Sequence, residues 1–437
     1  MFRFIVKKVI YGFVVLFGVV TTVFFLFNAK STNPEYLLGG QNATKEVLDN
    51  IRKDLGLDLP VGKRYVLYLN DLSFISIHNA QDEESRFYLD KEKYDAMTLF
   101  SVGKGNVVVL KVPYLRQSYV TKRKVADVII DKLPNTILLA VTAITIATFL
   151  GILLGIFATI YKGSFFDNSA LVFAVLGMSA PSYVMAIVIS WLGGVIWTEI
   201  TYLPSFPFFL MIFGAILGYF VAKAKPSEKG KIDLSYIFSM AGKGLVLGIG
   251  IWLLASMINS FMNSDWVPLM SHFIQLPGTG LNITGALVIV DDYTGEDIYA
   301  WKNLILPAIT LGIRPLAIVT QLMRSSLLDV LSQDYIRTAK AKGLAPFSVI
   351  MKHGLKNAMN PVVTAISGWF ASLLAGSVFV ERVFDFKGLG DEVVSALQND
   401  DLPLVMGAVL VVATFFVIIN ILVDIAYGFL DPRIRIR

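Results

Sequence analysis

The chain has 437 residues, of which 55% are hydrophobic and 16% are charged, and its mean hydropathy is +0.65. Soluble domains carry about 25% charged residues, so this composition excludes an ordinary soluble protein and predicts a polytopic membrane protein. The net charge of +5 does not indicate nucleic-acid binding, because the basic residues cluster at the ends of apolar segments. The absence of cysteine excludes disulfides, thiolate metal sites and cysteine nucleophiles.

Eight apolar segments have the length of a membrane span. A bilayer core about 30 Å thick needs roughly 20 apolar residues per helix. In chain order the segments are 9–29, 133–161, 168–198, 200–222, 244–264, 303–323, 357–380 and 402–423. The first is longer than the apolar part of a signal peptide, and Ala29-Lys30 is a poor cleavage site, so we expect an uncleaved anchor.

The charges of the short loops predict the orientation of the spans. Loop 223–243 carries five lysines against two acidic residues, and loop 324–356 carries six basic residues against two aspartates. Loop 265–302 has the opposite bias, with five acidic residues and one lysine, whereas the C-terminal tail ends in arginines. Positively charged loops face the cytoplasm, so both termini are expected there.

The polar stretch 30–132 is then external. It combines a helical pattern at 44–55 with a strand pattern at 106–112, which predicts a small α/β insert after the first span. The expected organisation is 1–29 (N-terminus and first span), 30–132 (external segment), 133–198 (spans two and three), 199–264 (a further pair of spans), 265–302 (external loop), 303–430 (core containing the loop 324–360) and 431–437 (cytoplasmic tail).

The loop between the sixth and seventh segments is a basic, amphipathic helix–glycine–helix pattern. Gly343 suits the left-handed position that ends a helix, and Pro346 suits the first turn of the next. Residues at helical spacing form one apolar face, namely Leu327, Leu328, Leu331, Tyr335, Ile336 and Ala339, followed by Phe347, Ile350 and Leu355. These residues alone leave two interpretations open, a helix lying on the membrane surface or a docking element.

The order of residues in this loop resembles the cytoplasmic EAA loop of binding-protein-dependent ABC import permeases, in the form typical of B-type oligopeptide/dipeptide permease subunits. Arg337, Thr338 and Ala339 stand at the triplet, Gly343 at the glycine, and His353 at the usual isoleucine position. The resemblance implies that the loop inserts into a cleft on an ABC ATPase. The residues expected to couple to that ATPase are Arg337, Thr338, Ala339, Gly343, Leu344, Phe347, Ile350, His353, Leu355 and Asn357.

Further stretches resemble the same family, including 55–60, 133–136, 306–310, 376–390 and 420–435. The resemblance implies an all-α membrane protein with the type I ABC importer permease fold, which has six spans. The pair of segments within 199–264 is therefore additional. It is a lipid-facing addition, a docking site for an accessory subunit or an adaptation to an unusual binding protein.

Polar or helix-breaking residues within the spans are candidates for the translocation pathway: Arg314, Gln321 and Pro181. A mid-span arginine is costly and usually faces a cavity or a partner. Arg314 is expected to contact an anionic group of the solute or a carboxylate on a partner subunit. Pro181 is expected to kink the third span.

Motifs of catalysis are missing from the sequence. It contains no G-x-x-x-x-G-K-[ST] phosphate loop, and its three histidines lack metal-ligand spacing, so neither a catalytic residue nor a metal site is expected. By resemblance, ATP and Mg²⁺ belong to one or two partner ATPase subunits. The other expected partners are a second homologous permease, an extracytoplasmic solute-binding protein, a peptide-like solute and the lipid bilayer of a bacterial or archaeal cytoplasmic membrane.

Three alternatives to a peptide importer stay open at this point. Relatives of peptide permeases carry nickel chelates, glutathione or oligosaccharides. A secondary transporter driven by an ion gradient would usually show internal repeats and carboxylates within the spans, neither of which is evident. A membrane-anchored scaffold with 30–132 as its active part would leave the loop pattern unexplained.

Overall fold

A computed structural model describes residues 2–29, 34–39, 43–82, 85–90, 93–103, 105–198, 201–224, 234–262, 273–291 and 294–430. Several predicted features lie outside these residues: the lysine-rich stretch 225–233, part of the external loop at 263–272 with His272, and the basic tail 431–437. The chain forms two compact units, Met1–Ile137 with Lys387–Arg437, and Leu138–Phe386.

The first unit combines membrane helices with the segment predicted to be external. Its helices are α1 (Phe2–Ala29), α2 (Pro34–Gly39), α3 (Lys45–Asp54), α4 (Val61–Leu72), the start of α5 (Val125–Ile160), α14 (Leu389–Gln398) and α15 (Leu402–Leu430). Strands β1 (Ile75–Asn79), β2 (Ala96–Gly103) and β3 (Asn106–Lys111) form an antiparallel sheet in the order β1-β3-β2. The predicted α/β insert is thereby confirmed.

The external segment is joined to the ends of two span helices. The Thr21 and Tyr65 hydroxyls lie 2.6 Å apart and connect α1 to α4, while Phe24 stacks on Tyr68 with ring centroids 5.4 Å apart. Asp401, just before α15, accepts hydrogen bonds from the Ser118 hydroxyl and the Tyr119 backbone N–H. Further along the two helices, Lys8 pairs with Asp424 at 2.6 Å.

The second unit holds the remaining helices: the rest of α5, then α6 (Phe165–Ser179), α7 (Ser182–Trp191), α8 (Ser205–Ala224), α9 (Leu234–Met262), α10 (Lys302–Leu331), α11 (Asp334–Ala341), α12 (Pro346–Ser348) and α13 (Leu355–Val383). π-Helical turns occupy Leu192–Ile196 and Val349–Gly354. Two small antiparallel pairs join β4 (Thr201–Pro204) to β5 (Phe273–Leu276) and β6 (Val288–Val290) to β7 (Asp297–Tyr299).

Among the described residues, six helices are long and apolar enough to cross a membrane. Two bent helix pairs raise the number to eight if each pair is one span, in agreement with the predicted eight. The start of the fourth segment differs from the prediction. The fourth segment begins with a strand, and its helix starts only at Ser205, because Pro204 and Pro207 suit the end of a strand and the first turn of a helix.

The additional pair of spans, α8 and α9, forms a close helical hairpin. A Cβ atom at Gly218 would lie 2.6 Å from the Tyr236 carbonyl oxygen, and one at Gly248 would lie 2.6 Å from Pro207 Cα. Gly214 and Gly244 face the partner backbone in the same way. Small residues spaced four apart allow helix backbones to approach closely in lipid, which explains how the hairpin holds together.

Candidate functional site

The loop after α10 contains two short helices separated by a glycine turn, as the sequence predicts. Gly343 has a φ of 76°, a left-handed conformation that favours glycine, and it follows the end of α11. Ala345 is extended, and Pro346 then begins α12, where its missing N–H removes no helical hydrogen bond. Helix α10 runs on to Leu331, so the first eight residues of the predicted loop continue the span.

The two short helices are fixed to the neighbouring spans. Ile336, Ala339 and Val349 form a buried cluster, and Ile350 and Leu355 pack on a second buried cluster centred on α10 and α13. The Asn357 side-chain amide donates a hydrogen bond of 2.8 Å to the Tyr335 hydroxyl. A displacement of this loop must therefore move the ends of both spans.

The same loop presents a protruding apolar surface. Leu344, Phe347 and Met351 follow one another at intervals of three and four residues, and their exposed fractions are 39%, 74% and 40%. The same loop carries exposed basic side chains, namely Arg337, Lys340, Lys342, Lys352 and Lys356. Exposed apolar side chains together with charged ones are typical of a protein interface.

The predicted coupling residues thus separate into two groups. Arg337, Thr338, Leu344, Phe347 and Asn357 are exposed, whereas Ala339 is buried, and Ile350, His353 and Leu355 are half-buried. Tyr335, a member of the predicted apolar face, is 44% exposed. Met351 was missed by the sequence reasoning, although its spacing from Phe347 is helical.

A buried ion pair links the start of α6 to α10 just before this loop. Arg324 Nε and one terminal nitrogen donate to the two oxygens of Asp167 at 2.5 and 2.7 Å, and the Asp167 side chain is 2% exposed. Asp167 also accepts a hydrogen bond of 2.8 Å from the Gly163 N–H, and its own N–H donates to the Ser164 hydroxyl. Such bidentate contacts fix both position and angle.

Arg324 was predicted only as a basic residue of the loop. A local signal does mark the start of α6, namely Ser164 followed three residues later by Asp167, a pattern typical of a helix N-terminus. Glycines bring α5 close to the same part of α10: a Cβ atom at Gly155 would lie 2.6 Å from Met323 Cβ, and one at Gly151 would lie 2.8 Å from Val319. The segment of α10 that leads into the loop is therefore tightly held.

The predicted kink at Pro181 is a complete break. Helices before and after it make an angle of 116°, because proline lacks an N–H group and disfavours a helical conformation of the residue before it. Ala180 is accordingly extended, with φ −73° and ψ 131°. The break leaves carbonyl groups at the end of α6 without their helical partners.

Arg314 lies beside this break. One of its terminal nitrogens donates a hydrogen bond of 3.3 Å to the Met178 carbonyl, near the C-terminal end of α6. A cation at this end of a helix is favoured by the helix dipole. The structure therefore shows an acceptor for Arg314 within the chain itself. The two expected partners were a solute anion and a carboxylate on a partner subunit.

A cavity of about 70 Å³ adjoins the break, lined in part by Ala180, Ser182, Arg314 and Trp369. Near its wall, α13 bends by 55° between Phe370 and Ser372. Arg314 and the Pro181 break thus come together at one cavity. Gln321 is half-buried and is not among the residues that line it.

Comparison with known proteins relates most of the chain to one family. The family described as "Binding-protein-dependent transport system inner membrane component" matches residues 151–436. A second family, described as the N-terminal part of a "Binding-prot-dependent transport system membrane comp", matches residues 1–84.

The proteins similar to this chain are named as permeases. The "Di/tripeptide transport system permease protein DppB" of Pseudomonas aeruginosa is 28% identical over 436 residues, covering 100% of this chain and 99% of that protein. The "Dipeptide transport system permease protein DppB" of Escherichia coli strain K12 is 39% identical over 231 residues, covering 52% of this chain and 68% of that protein. The protein of the same name in Alkalihalophilus pseudofirmus is 26% identical over 435 residues, covering 100% of both chains.

Proposed function

Because the chain belongs to the family of binding-protein-dependent transport system inner membrane components, we propose that it is the permease subunit of an ATP-driven importer of di- or oligopeptides. Membership of this family supports the role of a transport permease that spans the membrane several times. The peptide solute is supported by similar proteins that are named di/tripeptide and dipeptide permeases.

The observation that carries the coupling role is the protruding surface of Leu344, Phe347 and Met351 on a loop fixed to two spans. Exposed apolar side chains on a protruding loop can act as anchors in a groove on another protein. We assign this groove to an ABC ATPase, which holds ATP and Mg²⁺. Closure of the ATPase pair would move the loop, and with it the ends of α10 and α13.

The proposed partners follow from this role. A second permease subunit, homologous to this one, completes the pathway, and both termini lie in the cytoplasm. A solute-binding protein delivers the peptide on the external side. There the sheet presents a cross-strand row of apolar side chains, Ile75, Leu110 and Met97, which are 61%, 45% and 70% exposed. Such a surface suits a transient protein contact.

Within the membrane, the proposed pathway passes the cavity at the Pro181 break. Broken helices in transporters expose backbone groups only where these line a cavity or are buried in protein. Arg314 has an in-chain acceptor but is exposed, so it retains donors for a solute carboxylate. Gln321, two helical turns further along α10, would contact the solute closer to the coupling loop.

Co-purification and uptake test these proposals separately. Alanine at Gly343 must adopt a left-handed conformation, at a cost of about 1–2 kcal/mol, so retention of the ATPase should fall about tenfold. Gly368→Ala is the matched control, because a Cβ atom there has no neighbour within 4 Å and its backbone is helical. If the variants retain the ATPase equally, the coupling role is refuted. If the ATPase is retained but labelled peptides are not taken up, only the assignment of a peptide as the solute is refuted.

A further inference from the structure

A cavity of about 240 Å³ lies within the first unit, at the C-terminal end of α1 and the N-terminal end of α15. Its apolar wall includes Phe24, Phe27 and Met406, which belong to these two span helices. Its polar wall includes Arg64 and Arg116 of the external segment. The cavity therefore lies where the ends of two span helices meet the polar segment that precedes α5.

Two buried polar groups in the cavity wall have no hydrogen-bond partner. Tyr68 is 3% exposed, and its hydroxyl is unpaired although its ring packs tightly against Phe24. Asn28 uses its amide nitrogen to donate to the Phe24 carbonyl at 2.7 Å, but its side-chain oxygen is unpaired. Buried polar groups in proteins are nearly always paired, so an unpaired hydroxyl that lines a cavity indicates a ligand.

The positive charge of the cavity wall favours a negatively charged ligand. Arg64 and Arg116 both line the cavity, and burial together with the nearby charge of Arg116 lowers the pKa of Arg64. Arg116 pairs with Asp71 at 3.5 Å, and its guanidinium carbon lies 5.2 Å from the centre of the Tyr68 ring. Glu35 also lines the cavity, and its carboxylate can neutralise only one positive charge. An anionic ligand is therefore favoured.

We propose that this cavity binds the phosphodiester headgroup of a glycerophospholipid. The phosphate would accept hydrogen bonds from Arg64, Arg116 and the Tyr68 hydroxyl, while an acyl chain would lie along Phe24 and Met406. Planar guanidinium groups are suited to phosphate oxygens. Tyrosine and arginine are also the side chains that commonly anchor proteins at the membrane–water interface.

A phospholipid explains the cavity better than a free solute does. The apolar wall is built from the ends of two span helices, and it is continuous with the buried cluster of Val23, Phe24, Tyr68, Met406 and Leu410. This cluster holds α4 of the external segment against α1 and α15. A bound lipid would fill the remaining space in this contact and fix the external segment on its spans.

Native mass spectrometry of the full chain in its assembled transporter, purified in mild detergent, tests the proposal. We expect one retained phospholipid per chain. Arg64→Gln should lower its retention about tenfold, since a hydrogen bond to a charged group is lost. Tyr68→Phe should lower it as well, and it keeps the aromatic packing if Arg64→Gln proves unstable. Arg123→Gln is the control, because Arg123 is exposed and pairs with Asp131 outside the cavity.

Re-addition of single lipids then identifies the headgroup. Selective retention of phosphatidylethanolamine or of phosphatidylglycerol supports the proposal and names the lipid. Equal retention by Tyr68→Phe, Arg64→Gln and Arg123→Gln overturns it. Displacement of the retained species by a dipeptide, or equal occupancy by inorganic phosphate, would overturn it too, because the cavity would then be a site for a soluble anion.

Discussion

Replacement of Phe347 by alanine should weaken ATPase binding more than any other single truncation in the coupling loop. The side chain is 74% exposed in the isolated chain. A phenylalanine buries about 200 Å², so roughly 150 Å² is left for a partner to cover, worth at most about 4 kcal/mol. The alanine side chain still buries part of this area, and the loss of side-chain freedom at the interface opposes binding. We therefore expect a loss of about 2 kcal/mol, or about 30-fold in Kd.

The assay is titration of the purified ATPase onto the permease in nanodiscs, with solute-stimulated ATP hydrolysis as a second readout. Phe261→Ala is the matched control, since Phe261 is 90% exposed and lies on α9 of the additional hairpin. Phe347 makes few contacts within its own chain, so its truncation should change the stability of the chain by less than about 0.5 kcal/mol. Both variants should therefore be equally well folded.

One result would refute this reasoning directly. If Phe347→Ala and Phe261→Ala bind the ATPase with the same Kd, the exposed surface of the loop is not the docking surface. A lower rate of ATP hydrolysis with unchanged Kd would instead place Phe347 in the transmission of movement after docking.

Two further predictions concern stability. Asp167→Asn leaves Arg324 without its charged partner and should destabilise the assembled permease by about 3 kcal/mol, measured as a lower Tm. The control Asp329→Asn, on the exposed side of α10, should leave Tm unchanged. Equal Tm values for the two variants would contradict a structural role for the ion pair. Burial lowers the pKa of His78, and the charge of Lys111 lowers it further. The unfolded chain then binds a proton that the folded chain excludes, so the external segment should lose protection from hydrogen exchange as pH falls below about 6.5. His78→Gln should abolish that dependence, and an unchanged profile would exclude His78 as its source.

Much of the fold could be predicted because its signals are local. A run of about 20 apolar residues can satisfy its backbone in lipid only as a helix, so eight spans could be counted directly. The start of α3 after Thr44, whose side chain accepts a hydrogen bond from the Val47 N–H, follows from the capping preference of threonine. The turn at Gly343 and the start of α12 at Pro346 follow from the backbone preferences of these two residues.

The contacts of polar residues within the spans could not be predicted in this way. Asp167 and Arg324 are 157 positions apart, and no pattern in either segment specifies the other. Pro181 predicts a distortion, but its size and the position of Arg314 beside it depend on how α6, α7 and α10 pack. The split of the coupling residues into exposed and buried groups depends on the same packing.

The sequence by itself therefore determined the membrane class, the number of spans and the place of the glycine turn between α11 and α12, because hydropathy and turn chemistry act between neighbours in the chain. Only the tertiary structure decided which loop residues face outward, how the break at Pro181 receives Arg314, and that Tyr68 and Arg64 share a cavity with the end of α1. Such contacts arise where segments distant in sequence pack together, and each is set by the shapes and charges of both sides.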